Sequence, residues 1–215
     1  MAVQAPVNVV MPARWLAIAV VLCGLGQAET KVKGPVVLLI GPPGSGKSTQ
    51  AAAAARLLNA PIIAVDDLIK DNPSTFQGIR RSGISGMEPQ TDPVLNRLFS
   101  ERLEKEDVTG GIILDGYPST KDHADYLAEL VKKGVLPNLL TIELQIPDST
   151  VLKRTAKARK DSQASVEQRL KDYHREMDMV RLYFPSAEIV SVDGTKSAKS
   201  VEKTIRTLLK KRFMP

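Results

Sequence analysis

Apolar residues in this chain fall into two rhythms. Five short runs, Val36-Val37-Leu38-Leu39-Ile40, Ile62 to Val65, Ile112-Ile113-Leu114, Leu139 to Leu144 and Ile189 to Val192, are largely apolar and of strand length. Runs of that kind suit strands covered on both faces, as in parallel sheets. The segments between them carry helical spacing. A first helix starts at Lys47, continues through Ala51 to Ala55 and stops around Asn59-Ala60-Pro61. Asp66 follows the second run as a helix cap, with a short helical start at Leu68-Ile69-Lys70 and a polar, flexible-looking stretch from Gly78 to Gly86. From Asp92 to Glu106, Val94, Leu95, Leu98, Phe99 and Leu103 share one helical face, and Gly110-Gly111 breaks the pattern. Further helices are expected from Lys121 to Lys133, from Asp148 to Val180 with a break near Lys160 to Ala164, and from Ser200 to Lys211. Strands alternating with helices predict an α/β fold: a three-layer sandwich around a five-stranded, parallel sheet.

Composition narrows this without redirecting it. With 215 residues, 43% hydrophobic and 25% charged, the chain fits one soluble globular domain able to bury a core. The formal charge of +6 invites a nucleic-acid reading, but aromatic residues make up 4% and no basic run is interleaved with them to stack bases. A site for polyanionic nucleotides, or simply a solvated surface, explains the excess, and no nucleic-acid partner is expected.

Residues 1–28 stand apart. Arg14 precedes the apolar run Trp15 to Leu25, and Gly26-Gln27-Ala28 supplies small residues for cleavage before Glu29. This is the pattern of a secretory signal peptide, with an uncleaved anchor or a misassigned start as the alternatives. The run falls short of the roughly 20 apolar residues of a membrane span. Cleavage would leave a domain of residues 29–215, exported and without stable membrane association; a misassigned start would leave it cytoplasmic. The single cysteine, Cys23, lies inside this leader, so cysteine offers the mature chain no disulfide and no thiolate metal site.

One stretch carries explicit chemistry. Gly41-Pro42-Pro43-Gly44-Ser45-Gly46-Lys47-Ser48-Thr49 has the form G-x-x-x-x-G-K-[ST] between a predicted strand and a predicted helix. Its glycines allow a tight loop whose N–H groups converge on phosphate oxygens, and the positive end of the following helix adds to the attraction. Lys47 is placed to reach the outer phosphates and Ser48 to hold Mg2+. In open α/β sheets ligands collect at the carboxyl ends of the strands. Asp66 and Asp67 follow the second strand, Asp115 ends the third and Gly194-Thr195 follow the fifth. Asp115 is a candidate for holding a water of the magnesium ion, although a capping carboxylate would look the same.

The order of these parts resembles the adenylate kinase family of nucleoside monophosphate kinases from Val36 to about Lys210. GPPGSGKSTQ is similar to that family's phosphate loop. Asp115-Gly116-Tyr117-Pro118 resembles the start of its D-G-[FY]-P-R signature. VSVDGTK, Val190 to Lys196, resembles the last strand and the turn whose backbone contacts the adenine of ATP. Lys153-Arg154 and Arg169 to His174 resemble the segments flanking the lid. The resemblance implies a phosphate-loop kinase fold, ATP and Mg2+ as cofactors, small-molecule nucleotides as partners and a monomer. It implies transfer of a terminal phosphoryl group to a nucleoside monophosphate, with AMP as the first expectation. Such chemistry needs positioning and positive charge more than reactive side chains.

Carried over residue by residue, the likeness places Lys47, Asp115, Arg154, Arg159 and Arg169 in the catalytic set, with Ser48 and Asp115 toward the metal. It places Gly41 to Thr49 and Gly194, Thr195 and Lys196 on ATP, and Asp67, Lys70, Gly116, Tyr117 and His123 on the acceptor. The lid, about residues 154–164, is very short, and Arg159 with Asp161 stands where the lid arginine and the following aspartate are expected. The acceptor-binding insertion, about residues 66–106, departs more. Lys70 and Ser119 occupy positions that match arginines, and His123 matches the glutamine that reads the adenine of AMP. Lysine does not reproduce the two-pronged grip of arginine on a phosphate, and serine brings no charge. Arg80 or Arg81 would have to compensate. His123 and His174 have no ligand-spaced partner in sequence and are read as structural rather than as metal or acid–base residues. Two alternatives therefore stay open beside the kinase: a non-catalytic nucleotide-binding protein on the same scaffold, and a small-molecule kinase with another acceptor.

Overall fold

The computed structural model describes residues 32–76, 92–158, 163–183 and 189–215. The leader at 1–28, the stretch holding Arg80 and Arg81, and the lid segment with Arg159 and Asp161 lie outside them.

Strands β1 (Val36–Ile40), β2 (Ile62–Ala64), β3 (Ile112–Asp115), β4 (Leu139–Gln145) and β5 (Ile189–Asp193) form one sheet in the order β2-β3-β1-β4-β5, every neighbouring pair parallel. Helices α1 (Lys47–Leu58), α2 (Val65–Asp71), α3 (Pro73–Phe76), α4 (Asp92–Leu103), α5 (Lys121–Lys132), α6 (Asp148–Ala158), α7 (Gln163–Tyr183) and α8 (Ala198–Phe213) connect and cover them.

Alternate residues of β1 explain the layers, because successive side chains of a strand point to opposite faces. Val36, Leu38 and Ile40 join a core with Leu68 of α2, Leu95 and Phe99 of α4 and Leu127 of α5. Val37 and Leu39 join a second core with Ala51 and Ala54 of α1 and Val201, Ile205 and Leu209 of α8. All five β1 residues are buried, which is why the run contains no polar alternation. The alanines of α1 have a packing role as well as a helix-forming one: they let the helix lie close to the sheet and to α8.

Several boundaries differ from the sequence reading. Val65 opens α2 instead of closing β2, since its buried side chain serves the core together with Leu68. Asp66 is consequently not the cap. Ala64 takes that position without a side-chain bond, and Asp66 and Asp67 sit exposed in the first turn, where acidic groups complement the helix dipole. Helix α4 ends at Leu103, and a 3-10 turn at Glu106–Val108 follows, closed by Thr109 N–H donating to Glu106 O at 3.2 Å. Thr120 caps α5, accepting from His123 N–H at 3.2 Å. No helix among the described residues is long and apolar enough to cross a membrane.

The chain leaves β1 toward β2 on one side and later crosses from β3 to β4 on the other. The change of direction therefore falls at the carboxyl end of β1, where an open parallel sheet leaves a crevice. The loop Gly41 to Thr49 begins there.

Candidate active site

The loop is built to keep side chains out of its centre. Gly44 and Gly46 adopt φ of 73° and 96°, a left-handed conformation that other residues resist. A Cβ on Gly41 would come within 2.8 Å of Leu144 O and 2.9 Å of Ser45 Oγ. Ser45 N–H donates to Pro42 O at 3.1 Å, and Ser45 Oγ is buried without a hydrogen-bond partner among the described residues. Lys47 folds back over the loop, Nζ donating to Gly41 O at 2.5 Å and Pro42 O at 3.2 Å. Burial lowers its pKa, with the charge of Asp115 opposing that shift. An anion resting against the loop would supply what those two carbonyls only partly provide, a full counter-charge to the ammonium.

Asp115 closes β3 in register with Leu39 of β1 and Ala64 of β2, and its charge acts on Lys47 of the loop. Ser48 is exposed in the first turn of α1. Among the described residues no group of three His, Cys, Asp or Glu could hold a metal ion. The pair that remains, one hydroxyl and one carboxylate, is the hard-oxygen set of a magnesium ion that keeps several waters and takes its other ligands from phosphate. The residues present fit that ion.

Helix α6 contributes Arg154. Its Nη1 donates to Gly44 O at 3.4 Å and its Nη2 to Thr195 O at 3.2 Å, tying the loop to the turn after β5. That turn is tight because Gly194 N–H donates to Gln145 O at 2.9 Å, and a Cβ there would lie 2.8 Å from Ile146 Cγ2. Thr195 donates its N–H and hydroxyl to Asp193 Oδ1 at 2.9 and 2.5 Å, holding that carboxyl below its ordinary range. Lys196 Nζ stands 3.8 Å from Asp193 Oδ2.

Beside this turn lies a cleft of about 530 Å³, lined among others by Pro42, Ile146, Tyr173, Ser191 and Thr195. Its floor holds a polar group that the sequence reading missed. Glu143 of β4, 4% exposed, accepts from Gln145 Nε2 at 3.0 Å, Arg181 Nη2 at 2.8 Å and the Tyr173 hydroxyl at 3.5 Å. Gln145 Nε2 also donates to Ser191 Oγ at 3.0 Å. Burial pushes the Tyr173 hydroxyl up, with Glu143 adding to it. A glutamate interrupting the apolar run Leu139 to Leu144 was the available signal, since a buried carboxylate requires partners.

A second cavity, about 170 Å³, lies between the loop and the segment after β3. Gly41, Lys47, Gly116, Ser119, Arg169 and Tyr173 are among its lining residues. Lys47, Gly116 and Arg169 are thus brought to one place. Tyr117 borders the cavity but is buried, stacked on Phe99 with ring centres 4.3 Å apart, its hydroxyl donating to Asn96 Oδ1 at 2.6 Å. Burial raises the pKa of that hydroxyl. Asp67 and Lys70 are exposed on α2.

His123 is not among the residues that line this cavity. It is 0% exposed, stacked on Tyr117 at 4.8 Å, with Nε2 3.3 Å from Asp92 Oδ1 and Nδ1 turned toward Ser119. It adjoins the cavity through Ser119 and Tyr117, which line it. It also has a partner invisible in sequence, because Asp92 at the start of α4 is brought against the first turn of α5. Burial holds the imidazole down to about 4. The Asp92 carboxyl is raised by burial and by Asp122, against a hydrogen bond from Thr120. His174 sits on the exposed face of α7, its Nε2 3.1 Å from Asp148 Oδ1.

Comparison with known proteins bears on this site. Residues 39–189 match the sequence model of a family described as adenylate kinase. The adenylate kinase of Micrococcus luteus is 31% identical over 169 residues, 74% of this chain and 82% of that protein. That of Nocardia farcinica is 32% identical over 180 residues, 80% of this chain and 98% of that protein. That of Chelativorans sp. is 29% identical over 191 residues, covering 81% and 98%.

Proposed function

The chain belongs to the adenylate kinase family, and on that premise we propose that it transfers the terminal phosphoryl group of ATP to a nucleoside monophosphate, with AMP as the expected acceptor. The observation that carries this reading is the shared cavity, in which Lys47 of the phosphate loop and Arg169 of α7 face the Gly116–Ser119 segment. Two cations converging from different elements on one small space suit a moving phosphoryl group, whose charge is spread over its outer oxygens. Lys47 exchanges its carbonyl partners for phosphate oxygens. The loop's N–H groups hold the inner phosphates, and Arg154 joins the loop to the turn Gly194 to Lys196, which accepts the base. Ser48 and Asp115 would hold a magnesium ion, which would supply positive charge to the phosphate groups. Arg159 in the lid and Lys70 and Asp67 on the acceptor side complete the proposed set, with Arg80 or Arg81 replacing the missing arginines.

A coupled assay across nucleoside monophosphates and small-molecule acceptors tests the reading. Turnover with AMP at least equal to that with any other acceptor is the expected result. Lys47→Ala is expected to lower it by about 100- to 1000-fold, the usual cost of one transition-state donor. The second reading, a nucleotide-binding protein without transfer, is favoured by one observation: Ser119 brings no charge to the cavity. ATP binding with no transfer to any acceptor would establish it. Export and a monomeric state belong to the same proposal, and N-terminal sequencing and light scattering of the secreted fraction test them.

A further inference from the structure

Ser119 is surrounded by more than a lost arginine contact leaves behind. Its Oγ lies 3.1 Å from His123 Nδ1, and its main-chain N–H donates to the same nitrogen at 3.4 Å. A main-chain N–H only donates, so Nδ1 is the unprotonated ring nitrogen and the hydrogen sits on Nε2. Nε2 faces Asp92 Oδ1 at 3.3 Å, with the side chains 0% and 4% exposed. The approach is close without the alignment of a good hydrogen bond, and among the described residues neither atom has another such partner. Hydroxyl, imidazole and carboxylate thus stand in sequence, drawn from the segment after β3, the first turn of α5 and the start of α4. In that order a base takes the hydroxyl proton and a carboxylate steadies the resulting cation.

The hydroxyl end of this series borders the cavity that Lys47 and Arg169 also line. Burial keeps His123 neutral at ordinary pH, so the ring is available as a base. A base so weakened by burial needs its cation stabilised, and Asp92 is the group placed to do so.

The geometry points to Ser119 as a phosphoryl acceptor in its own right: with ATP at the loop and no monophosphate in the cavity, Ser119 becomes phosphoserine. The inference rests on the proposed binding of ATP at Gly41 to Thr49. Ser119 Oγ bonds to the γ-phosphorus while the bond from that phosphorus to the bridging β–γ oxygen breaks, and ADP leaves with the electron pair. The Oγ proton passes to His123 Nδ1, and Asp92 balances the imidazolium. The product places a charge of about −2 beside Lys47 and Arg169.

The full chain is incubated with magnesium ATP labelled in the γ-phosphate, without monophosphate, while calorimetry follows ATP binding. Intact mass and peptide mapping are expected to show one phosphoryl group on Ser119, absent from Ser119→Ala and retained in Ser119→Thr. His123→Asn and Asp92→Asn are expected to slow labelling, the former by about 100-fold, as for loss of a general base. If the buried substitutions fail to fold, the Ser119 pair decides. ATP bound with no label on Ser119, or labelling unchanged in rate in folded His123→Asn, overturns the inference and leaves the ATP reading standing. Failure of the chain to bind ATP removes both.

Discussion

Arg154 shows how much a single side chain settles at this site. Its two terminal nitrogens reach carbonyls of different segments, Gly44 and Thr195, and a planar fork can do both at once. A lysine offers one mobile ammonium. Arg154→Lys is therefore expected to raise the KM for ATP by about 10-fold, equivalent to one lost charge-assisted hydrogen bond, with a smaller effect on stability; steady-state kinetics and thermal unfolding separate the two. Gly194 makes a complementary case. Because an added Cβ would lie 2.8 Å from Ile146 Cγ2 and 3.3 Å from Gln145 O, Gly194→Ala must displace the turn. Weaker ATP binding is expected, with acceptor affinity little changed in the same assay. At this scale the loop was legible because its residues are contiguous and its motif states its own geometry. Glu143, Asp92 and Arg181 were not, since each acquires its meaning from a partner in another element.

The elements were read largely where burial is complete. The β1 run is buried at every position, and no competing pattern fits it. Leu38, wholly buried in the core beneath α4 and α5, gives the measure of what that strand contributes: Leu38→Ala is expected to cost about 2–5 kcal/mol, checked by urea unfolding. Thr120→Ala tests the start of α5. Loss of the side-chain bond to His123 N–H is expected to cost about 1 kcal/mol and to loosen the segment that presents Ser119. Boundaries were misread where tertiary demand overrode local signals. Asp66 is a good cap by composition, yet Val65 is needed in the core and draws the helix two residues earlier. The 3-10 turn at Glu106–Val108 carries no distinct periodicity, so it merged with α4 in the sequence reading.

For the molecule as a whole, the buried imidazole sets an acid-side limit on stability. His123 titrates near 4 in the folded chain against an ordinary value of 6.5. A depressed folded pKa means that the unfolded chain binds the proton first. The contribution is therefore fully present above pH 6.5 and is lost as pH falls from there toward 4, by up to about 3 kcal/mol. Asp92 acts in the opposite sense, because its folded pKa is raised and protonation relieves the cost of burying its charge. Unfolding free energies between pH 7 and pH 4 are expected to fall in wild type and to flatten in His123→Gln. The alternation of strands and helices predicted the layers, but the strand order follows from the path of the crossovers.

That order also determines when the fold can form. In β2-β3-β1-β4-β5 the first two described strands to be made are not neighbours: among the described residues β2 pairs with β3, and β1 with β3 and β4. Before Ile112 has emerged, β1 and β2 therefore lack the strand that, among the described residues, joins them. The phosphate loop lacks the Leu144 carbonyl against which Gly41 packs until β4 has emerged. High separation between paired residues slows folding, because loop closure must precede the contacts that reward it. The nucleotide site is encoded early in the chain and assembled late.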